Sequence, residues 1–319
     1  MQKHHKITTI LTLLLCLSFA NGCKEAPKKQ NNKTIEQNQE QQSQATSRAY
    51  SKEDTQEIQP TAEAKQDYIN ESGICLKERI TVPDGFTRIQ YKKNSFGAFL
   101  ENYPLCEDGQ PVLLYNGNEK TNQNAHVAVF DMDMTDGDLQ QCADSVIRMY
   151  AEYFYKQNQY EKMKFQFVNG FSCDFDKWSK GMRVSVNGND TSWYQGTNAD
   201  ASKETLESYL RTVFSYASTL SLEQESKGIE PEGIESGDIF ICGGSPGHVV
   251  MVVDVCENEK GEKAFLLAQG YMPAQQFHIL KNPQHEENPW YYETELSYPL
   301  RTPEYTFGEG SLMRPKYNQ

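Results

Sequence analysis

The stretch that decides the fold spans residues 238–280 and has the sequence DIFICGGSPGHVVMVVDVCENEKGEKAFLLAQGYMPAQQFHIL. Short runs of β-branched and aromatic residues alternate in it with glycine-rich or polar segments, a pattern typical of consecutive strands joined by turns. We predict four strands, over residues 238–242, 248–255, 263–268 and 276–280. Strands spaced so closely favour an antiparallel sheet in which neighbours in sequence also lie side by side.

Two amphipathic helices are predicted before this stretch, over residues 138–157 and 202–220. The apolar stripe of the first helix consists of residues at helical spacing, namely Cys142, Val146, Met149 and Tyr153. Shorter strands are predicted over residues 127–134, 165–168 and 182–186. Helices followed by a group of strands indicate an α+β fold, in which a cysteine-bearing helix packs on an antiparallel sheet.

The composition restricts the class of protein. The chain has 319 residues, of which 44 are acidic and 31 are basic, and its formal net charge at pH 7 is −13. An acidic chain without a basic block is a poor partner for nucleic acid, so we predict no nucleic-acid binding. Because 11% of the residues are aromatic, the chain must build a core, although only 37% are hydrophobic. We therefore expect one packed domain attached to a polar segment.

The first residues have the features of an export signal. A basic segment precedes an apolar run over residues 7–20, which is too short to span a bilayer. The residues that follow, Asn21, Gly22 and Cys23, resemble the end of the lipobox of bacterial lipoproteins, and this resemblance implies a lipid on Cys23. An ordinary secretory signal is the alternative. Both interpretations predict a protein of the cell envelope, and Lys24 in place of aspartate favours the outer membrane.

Three segments follow from this interpretation: a signal peptide (1–22), a flexible polar tether (23–70) and a single folded domain (71–319) with a small N-terminal β extension. The tether is inferred from its composition, since residues 24–49 contain no aromatic side chain and a single branched aliphatic one. The lipid on Cys23 would attach the protein to the membrane. The oligomeric state cannot be predicted from this pattern.

Six cysteines follow the lipobox, at Cys75, Cys106, Cys142, Cys173, Cys242 and Cys256. In an oxidising compartment they could form three disulfides, and free thiols are the alternative. The absence of a C-x-x-C pair excludes a zinc ribbon and a thioredoxin motif. The aspartates at 131, 133, 136 and 138 lack the glycine and the final carboxylate of a calcium-binding EF-hand loop. We predict neither a metal ion nor a cofactor.

A G-x-S-x-G motif over residues 243–247 is a misleading signal. The nucleophile elbow of serine hydrolases needs a helix after the serine and a backbone N–H on the next residue. Here a strand is predicted to follow Ser245, and Pro246 has no N–H. We interpret the motif as a glycine-rich turn.

The candidate catalytic residues are Cys142, His248 and Gln269. A thiol becomes a strong nucleophile when a helix N-terminus and an imidazolium lower its pKa, and Cys142 lies in the first turns of the predicted helix. His248 begins a strand, directly after the glycine-rich turn. Gln269 ends the next strand, where its amide could orient the imidazole if the two strands pair. A cysteine on a helix, a histidine on one strand and an amide on the next is the papain-type arrangement.

These residues carry a resemblance to known families. The segment GDIF (237–240), the Gly247-His248 pair and the strand ending in Gln269 resemble the NlpC/P60 branch of papain-like cysteine peptidases. The blocks DLQQCAD (138–144), GGSPGH (243–248), LLAQ (266–269) and NPWY (288–291) resemble a bacterial family of secreted lipoproteins with a domain of unknown function. The peptidase resemblance implies a papain-like fold and a thiol hydrolase or transferase that acts on amide bonds, such as those of peptidoglycan peptides.

Several alternatives stay open. The resemblance implies an oxyanion donor near the nucleophile, which could be Gln141 or Gln140. Arg148 could hold a substrate carboxylate, or it could pair with Glu152 along the helix. Cys173 is a competing nucleophile. The alternative function is a catalytically inactive lipoprotein that uses the same fold to bind an envelope peptide or glycan.

Overall fold

The computed structural model describes residues 66–318, so the predicted signal peptide, Cys23 and most of the predicted tether lie outside the described residues. The helices in this range are α1 (Leu76–Arg79), α2 (Phe96–Glu101), α3 (Cys142–Lys156), α4 (Phe175–Ser179), α5 (Lys203–Tyr216) and α6 (Thr219–Gln224). The strands are β1 (Phe86–Arg88), β2 (His126–Val129), β3 (Lys164–Gln166), β4 (Ser172–Asp174), β5 (Met182–Asn187), β6 (Asp190–Gln195), β7 (Ser226–Gly228), β8 (Ile239–Cys242), β9 (His248–Asn258), β10 (Lys263–Gln269), β11 (His278–Leu280), β12 (Tyr291–Tyr292), β13 (Leu300–Arg301), β14 (Thr306–Phe307) and β15 (Leu312–Pro315).

One large antiparallel sheet organises the fold. It has nine strands in the order β2-β11-β10-β9-β8-β15-β7, with β1 pairing β9 and β12 pairing β10. The four strands predicted from residues 238–280 are its centre, and each pairs with its neighbour in sequence, as expected. The other strands form three separate two-stranded ribbons. The described residues therefore have a mixed α+β fold with a large antiparallel sheet and few helices, in agreement with the predicted class.

Strand β9 separates two apolar clusters. Its side chains alternate between the two faces of the sheet, as in any strand. Val249 and Met251 belong to the cluster that also contains the buried side of α3. Val250 and Val252 belong to the cluster on the opposite face. This alternation places the side chain of His248 on the face away from α3.

Two predicted helices differ at their boundaries. The helix predicted from residue 138 begins only at Cys142, because the Asp144 carboxylate accepts a hydrogen bond from the backbone N–H of Gln141 at 3.0 Å and fixes the helix start there. The helix predicted over 202–220 is two helices, α5 and α6. Ser218 separates them because its hydroxyl accepts from the backbone N–H of Leu220 and caps α6.

The folded unit begins earlier than predicted. Residues 66–70, assigned above to the tether, contact the domain: the Gln66 amide donates to the carbonyl oxygen of Val82, and Ile69 pairs with Ile80 in a β-bridge. These contacts satisfy backbone groups that a solvated tether would leave to water. Contacts unite residues 66–318 into one compact unit. Within residues 66–318, no helix is long and apolar enough to cross a membrane.

Candidate active site

Cys142 is the first residue of α3 and is half-buried. The first N–H groups of a helix have no partner within the helix, and their dipoles favour negative charge nearby. The sulfur also lies near the backbone N–H of Val249, which directly follows His248 on β9. Because α3 begins directly after Gln141, the thiol of Cys142 lies near the beginning of β9, the strand that starts with His248.

His248 is the first residue of β9 and pairs with Cys242 of β8. Its side chain is only 2% exposed. Aromatic rings surround the imidazole, with ring centroids at 4.6 Å (Tyr271), 4.8 Å (Tyr305) and 5.9 Å (Phe307). This packing holds the ring in one place, and His248 lines a cavity.

Gln269 is the last residue of β10 and is completely buried. Because β10 pairs with β9, its amide lies beside the imidazole, as the strand order predicted. Oε1 of Gln269 and Nε2 of His248 form a hydrogen bond of 2.8 Å. The amide therefore occupies one ring nitrogen of His248 and leaves Nδ1 for another partner.

Cys142 and His248 line the same cavity, which has a volume of about 350 Å³. Gln141, Tyr271 and Tyr305 also form its wall, together with the glycine-rich turn. α3 packs on one face of the sheet and His248 points to the other. The thiol and the imidazole therefore line the cavity from opposite faces, at the end of the central strand β9. Among the contacts of residues 66–318, no hydrogen bond joins the two groups.

Burial sets the protonation states of both groups. Burial, together with the nearby Asp144, raises the pKa of the Cys142 thiol to about 11, against the effect of the backbone N–H groups. Burial lowers the pKa of His248 to about 4, although Gln269 and Glu304 act in the opposite direction. Both groups are therefore uncharged at neutral pH. The expectation that an imidazolium and the helix N-terminus lower the thiol pKa is wrong for this resting structure, because desolvation is the larger effect.

Of the two glutamines before Cys142, only Gln141 lines the cavity. Its side-chain amide donates one hydrogen bond to Oδ1 of Asp138 at 3.2 Å, and its second N–H is free for another acceptor. Gln140 is completely buried, and its oxygen accepts from Nε of Arg148 at 2.6 Å. The structure therefore leaves Gln141 as the candidate oxyanion donor.

Arg148 cannot hold a substrate carboxylate, which corrects one of the alternatives given above. The side chain is completely buried on α3, away from the cavity. Its guanidinium makes two hydrogen bonds of 2.8 and 2.7 Å to Glu207, one of 2.8 Å to Thr135 and a longer one to Glu152. Together with the bond to Gln140, these contacts use every donor nitrogen. The Arg148 guanidinium therefore has a structural role, because it connects α3 to Glu207 and to the buried oxygens of Gln140 and Thr135.

Asp144 is a second carboxyl group at the cavity wall. Its Oδ2 accepts from the backbone of Gln141, whereas its Oδ1 is buried without a hydrogen-bond partner among the described residues. Burial raises the pKa of Asp144 to about 8. The group is therefore protonated at neutral pH, and its charge opposes thiolate formation at Cys142 only in alkaline solution.

All six cysteines of the described range are free thiols, so no disulfide forms among them. The competing nucleophile Cys173 is sealed in the core, and burial raises its pKa well above the ordinary value. Cys242, which sequence reasoning did not single out, is exposed at the end of β8, opposite His248. Besides Cys142, Cys242 is thus a second thiol close to His248.

Comparison with known proteins adds one finding. A family model described as Domain of unknown function (4846) matches residues 76–314. The chain belongs to this family. No curated protein and no solved structure matches the chain.

In this family member, the matched range contains the whole candidate site. It also contains three residues that sequence reasoning missed: Lys120, His278 and Glu304, all of which lie behind Gln269. His278 was predictable only as a polar position on β11. Glu304 and Lys120 meet through tertiary packing across 184 positions of sequence, and no local spacing indicates that contact.

Proposed function

We propose that this protein is a thiol hydrolase or acyltransferase of the papain type, with Cys142 as nucleophile and His248 as general base. The observation that carries the proposal is that a thiol at a helix N-terminus and a histidine held by an amide line one cavity. The order of these groups in the chain and their placement on a helix and two neighbouring strands are similar to NlpC/P60 peptidases. A papain-like fold is proposed on the same ground.

In the first step, Nδ1 of His248 takes the proton of the Cys142 thiol while the sulfur attacks the carbonyl carbon of an amide. Nδ1 is the nitrogen left for this task because Nε2 is bonded to Gln269, and Nδ1 makes no hydrogen bond to any of residues 66–318. A sulfur–carbon bond forms, and the carbonyl electron pair moves to oxygen. The product is a tetrahedral oxyanion beside an imidazolium.

The oxyanion would be stabilised by two donors at the start of α3. One is the backbone N–H of Cys142, which belongs to the free N–H groups of the first helical turn. The other is the side-chain amide of Gln141, which lines the cavity. Fixed donors in a partly desolvated site stabilise developing charge more than mobile water does, because they need no reorganisation.

The second half of the reaction returns the proton. The His248 imidazolium protonates the leaving amine as the carbon–nitrogen bond breaks, and a thioester to Cys142 remains. Water then attacks the thioester with His248 again as base, which releases the carboxylic acid and restores the thiol. If an amine attacks instead of water, the same steps transfer the acyl group.

The proposed substrates are amide bonds of the cell envelope, with peptidoglycan peptides the nearest class. This part rests on the sequence before the described residues, where an apolar run ends in a lipobox-like segment at Cys23. We propose that a lipid on Cys23 anchors the protein, preferably to the outer membrane, and that residues 24–65 let the domain reach its substrate.

A catalytically inactive binding module is the second candidate, and one observation favours it. The imidazole is 2% exposed under Tyr271 and Tyr305, so a substrate must displace an aromatic side chain to reach it. The same cavity could then hold an envelope peptide or glycan without reacting.

The pH dependence of kcat/KM distinguishes a neutral Cys–His pair from a preformed ion pair. We expect kcat/KM to rise as His248 loses its proton at about pH 4 and to stay level to about pH 7, because the thiol keeps its proton until about pH 11 and Asp144, in the same cavity wall, ionises at about pH 8. An ion pair would instead lose activity as its imidazolium deprotonates near neutral pH. A falling limb at about pH 6–8 that persists in Asp144→Asn would therefore contradict the neutral pair. Far-UV circular dichroism at each pH controls for unfolding.

Covalent trapping tests the proposed nucleophile. N-acetylalanyl chloromethyl ketone is a small peptide electrophile suited to a cavity of about 350 Å³. We expect one adduct per chain by intact mass, located on Cys142 by peptide mapping. His248→Ala should slow this labelling by about 100-fold or more, because the thiol at Cys142 then lacks its base.

Cys106 is the internal control, since it is half-buried and lies outside the cavity wall. Iodoacetamide should label Cys106 at the same rate in the parent protein and in His248→Ala. An adduct on Cys242 would reassign the nucleophile. Labelling of Cys142 at an unchanged rate in His248→Ala, or no adduct at all, would refute the hydrolase and favour the binding module.

A further inference from the structure

The side-chain amide of Gln269 is hydrogen-bonded on both sides within a buried network. Its Nε2 lies 2.7 Å from a carboxylate oxygen of Glu304 and 3.4 Å from Nε2 of His278. A carboxylate can only accept. Nδ1 of His278 lies 2.8 Å from the carbonyl oxygen of Gln276 and must donate to it, so the other nitrogen of this neutral ring carries a lone pair. Both neighbours of the Gln269 nitrogen are therefore acceptors.

Glu304 is itself held in place. The Lys120 ammonium donates to the same carboxylate oxygen at 2.5 Å, and the Asn122 amide donates to the other oxygen at 3.0 Å. Lys120 is 7% exposed and the Glu304 side chain 14% exposed, so water contributes little to either group. The next residue, Tyr305, packs on the His248 ring. The consecutive residues Glu304 and Tyr305 thus contact Gln269 and the His248 imidazole, respectively.

We infer that Glu304, anchored by Lys120, is a positioning residue that fixes the Gln269 amide and through it the tautomer of His248. With its nitrogen turned to two acceptors, Gln269 must present its oxygen to His248. An amide oxygen only accepts, so Nε2 of His248 carries the proton and Nδ1 carries a lone pair. The inference rests on the proposed function, which needs an unprotonated Nδ1. The wrong tautomer would leave a proton where the base must act.

A buried ion pair that only stabilises the fold is the competing interpretation. Both interpretations predict a loss of stability when Glu304 is replaced, so stability cannot separate them. The two interpretations differ in what they predict for His248. Only a positioning role, exerted through the contact between Glu304 and Gln269, predicts that the protonated nitrogen of the His248 ring changes. The measurement must therefore detect the protonated ring nitrogen.

Long-range ¹H–¹⁵N NMR of the full chain, labelled with ¹⁵N-histidine and assigned with a His248→Gln variant, reports the tautomer and pKa of His248. We expect the Nε2–H form in the parent protein and a substantial Nδ1–H population in Glu304→Leu, which removes the acceptor of the Gln269 amide, with kcat/KM reduced about 10–100-fold. The pKa of His248 should fall in Glu304→Leu, because the Glu304 charge raises it, and rise in Lys120→Met, because the Lys120 charge lowers it. These opposite shifts are not expected from general loosening of the fold.

The double variant Lys120→Met/Glu304→Leu leaves no unpaired buried charge and covers the case in which a single variant fails to fold. The tautomer of His248 should still be mixed in it. Glu225→Leu is the matched control: Glu225 is also buried and paired with a lysine, Lys316, but lies outside the cavity wall. It should lose stability and keep the Nε2–H form.

An unchanged Nε2–H tautomer in both Glu304 variants would overturn the inference, even if Cys142 forms its adduct normally. A mixed tautomer in these variants together with an unreactive Cys142 would support the positioning role and refute the hydrolase. The two proposals therefore fail separately.

Discussion

Replacing Cys142 by alanine should reduce amide hydrolysis by on the order of 10⁴–10⁶-fold, the loss expected when a covalent nucleophile is removed. The sulfur is the atom that forms the proposed thioester, and Cys142 is half-buried at the start of α3. Purified peptidoglycan is the substrate, and the newly released amino groups are measured by dinitrophenylation. Because alanine has a higher helix propensity than cysteine, the fold should be preserved.

Cys106→Ala is the matched control for this variant and should retain full activity, because Cys106 lies away from the cavity. Cys142→Ser should be nearly as inactive as Cys142→Ala, since a hydroxyl is a much weaker nucleophile than a thiol. Full activity in Cys142→Ala would remove Cys142 from the mechanism. Loss of activity only in Cys242→Ala would assign the reaction to the exposed thiol opposite His248.

Replacing Arg148 by methionine should destabilise the protein by about 3 kcal/mol, the lower end of the cost of breaking a buried ion pair. The lower end applies because the two carboxylates, Glu152 and Glu207, are 22% and 33% exposed and can regain water. The buried oxygens of Gln140 and Thr135 would lose their charged donor as well. Urea unfolding, followed by tryptophan fluorescence, measures the change in the free energy of unfolding.

Arg211→Met is the control for the ion-pair argument. Arg211 also pairs with an acid, Asp136, but both side chains are exposed, and the cost should stay below about 1 kcal/mol. The double variant Arg148→Met/Glu207→Gln should recover part of the lost stability, because it removes the strongest unpaired charge. Equal effects of Arg148→Met and Arg211→Met would show that burial does not govern this pair.

Local patterns were sufficient for the elements that carry the candidate site. The alternation of apolar runs with turns predicted strands β8 to β11, and neighbouring strands do pair in sequence order. That pairing placed Gln269 beside His248, where they form a hydrogen bond. Of the predicted helical stripe, Val146 and Met149 are buried, whereas Cys142 and Tyr153 are half-buried, and a backbone cap moved the helix start to the cysteine itself.

Contacts between distant segments could not be predicted in this way. Arg148 appeared as an i,i+4 partner of Glu152, and sequence spacing does not indicate that Glu207, 59 positions later, accepts two of its hydrogen bonds. The lowered pKa expected for the thiol was wrong for a related reason: helix position is visible in sequence, whereas the desolvation of Cys142 depends on the packed fold. The pKa values of Cys142 and His248 are set mainly by burial in the packed fold.

Strand β15 lies between β8 and β7 in the large sheet, although it is the last strand of the described chain. The turn that carries Glu304 comes shortly before it. A ribosome delivers a polypeptide from its amino end, and large domains generally assemble only when their complete strand set is available. A nascent chain that has been synthesised as far as His248 contains Cys142 and His248. It would therefore still lack β15, which joins β8 to β7 in the sheet, and Glu304, which accepts from the Gln269 amide. Assembly of the candidate site is thus a late event in biosynthesis.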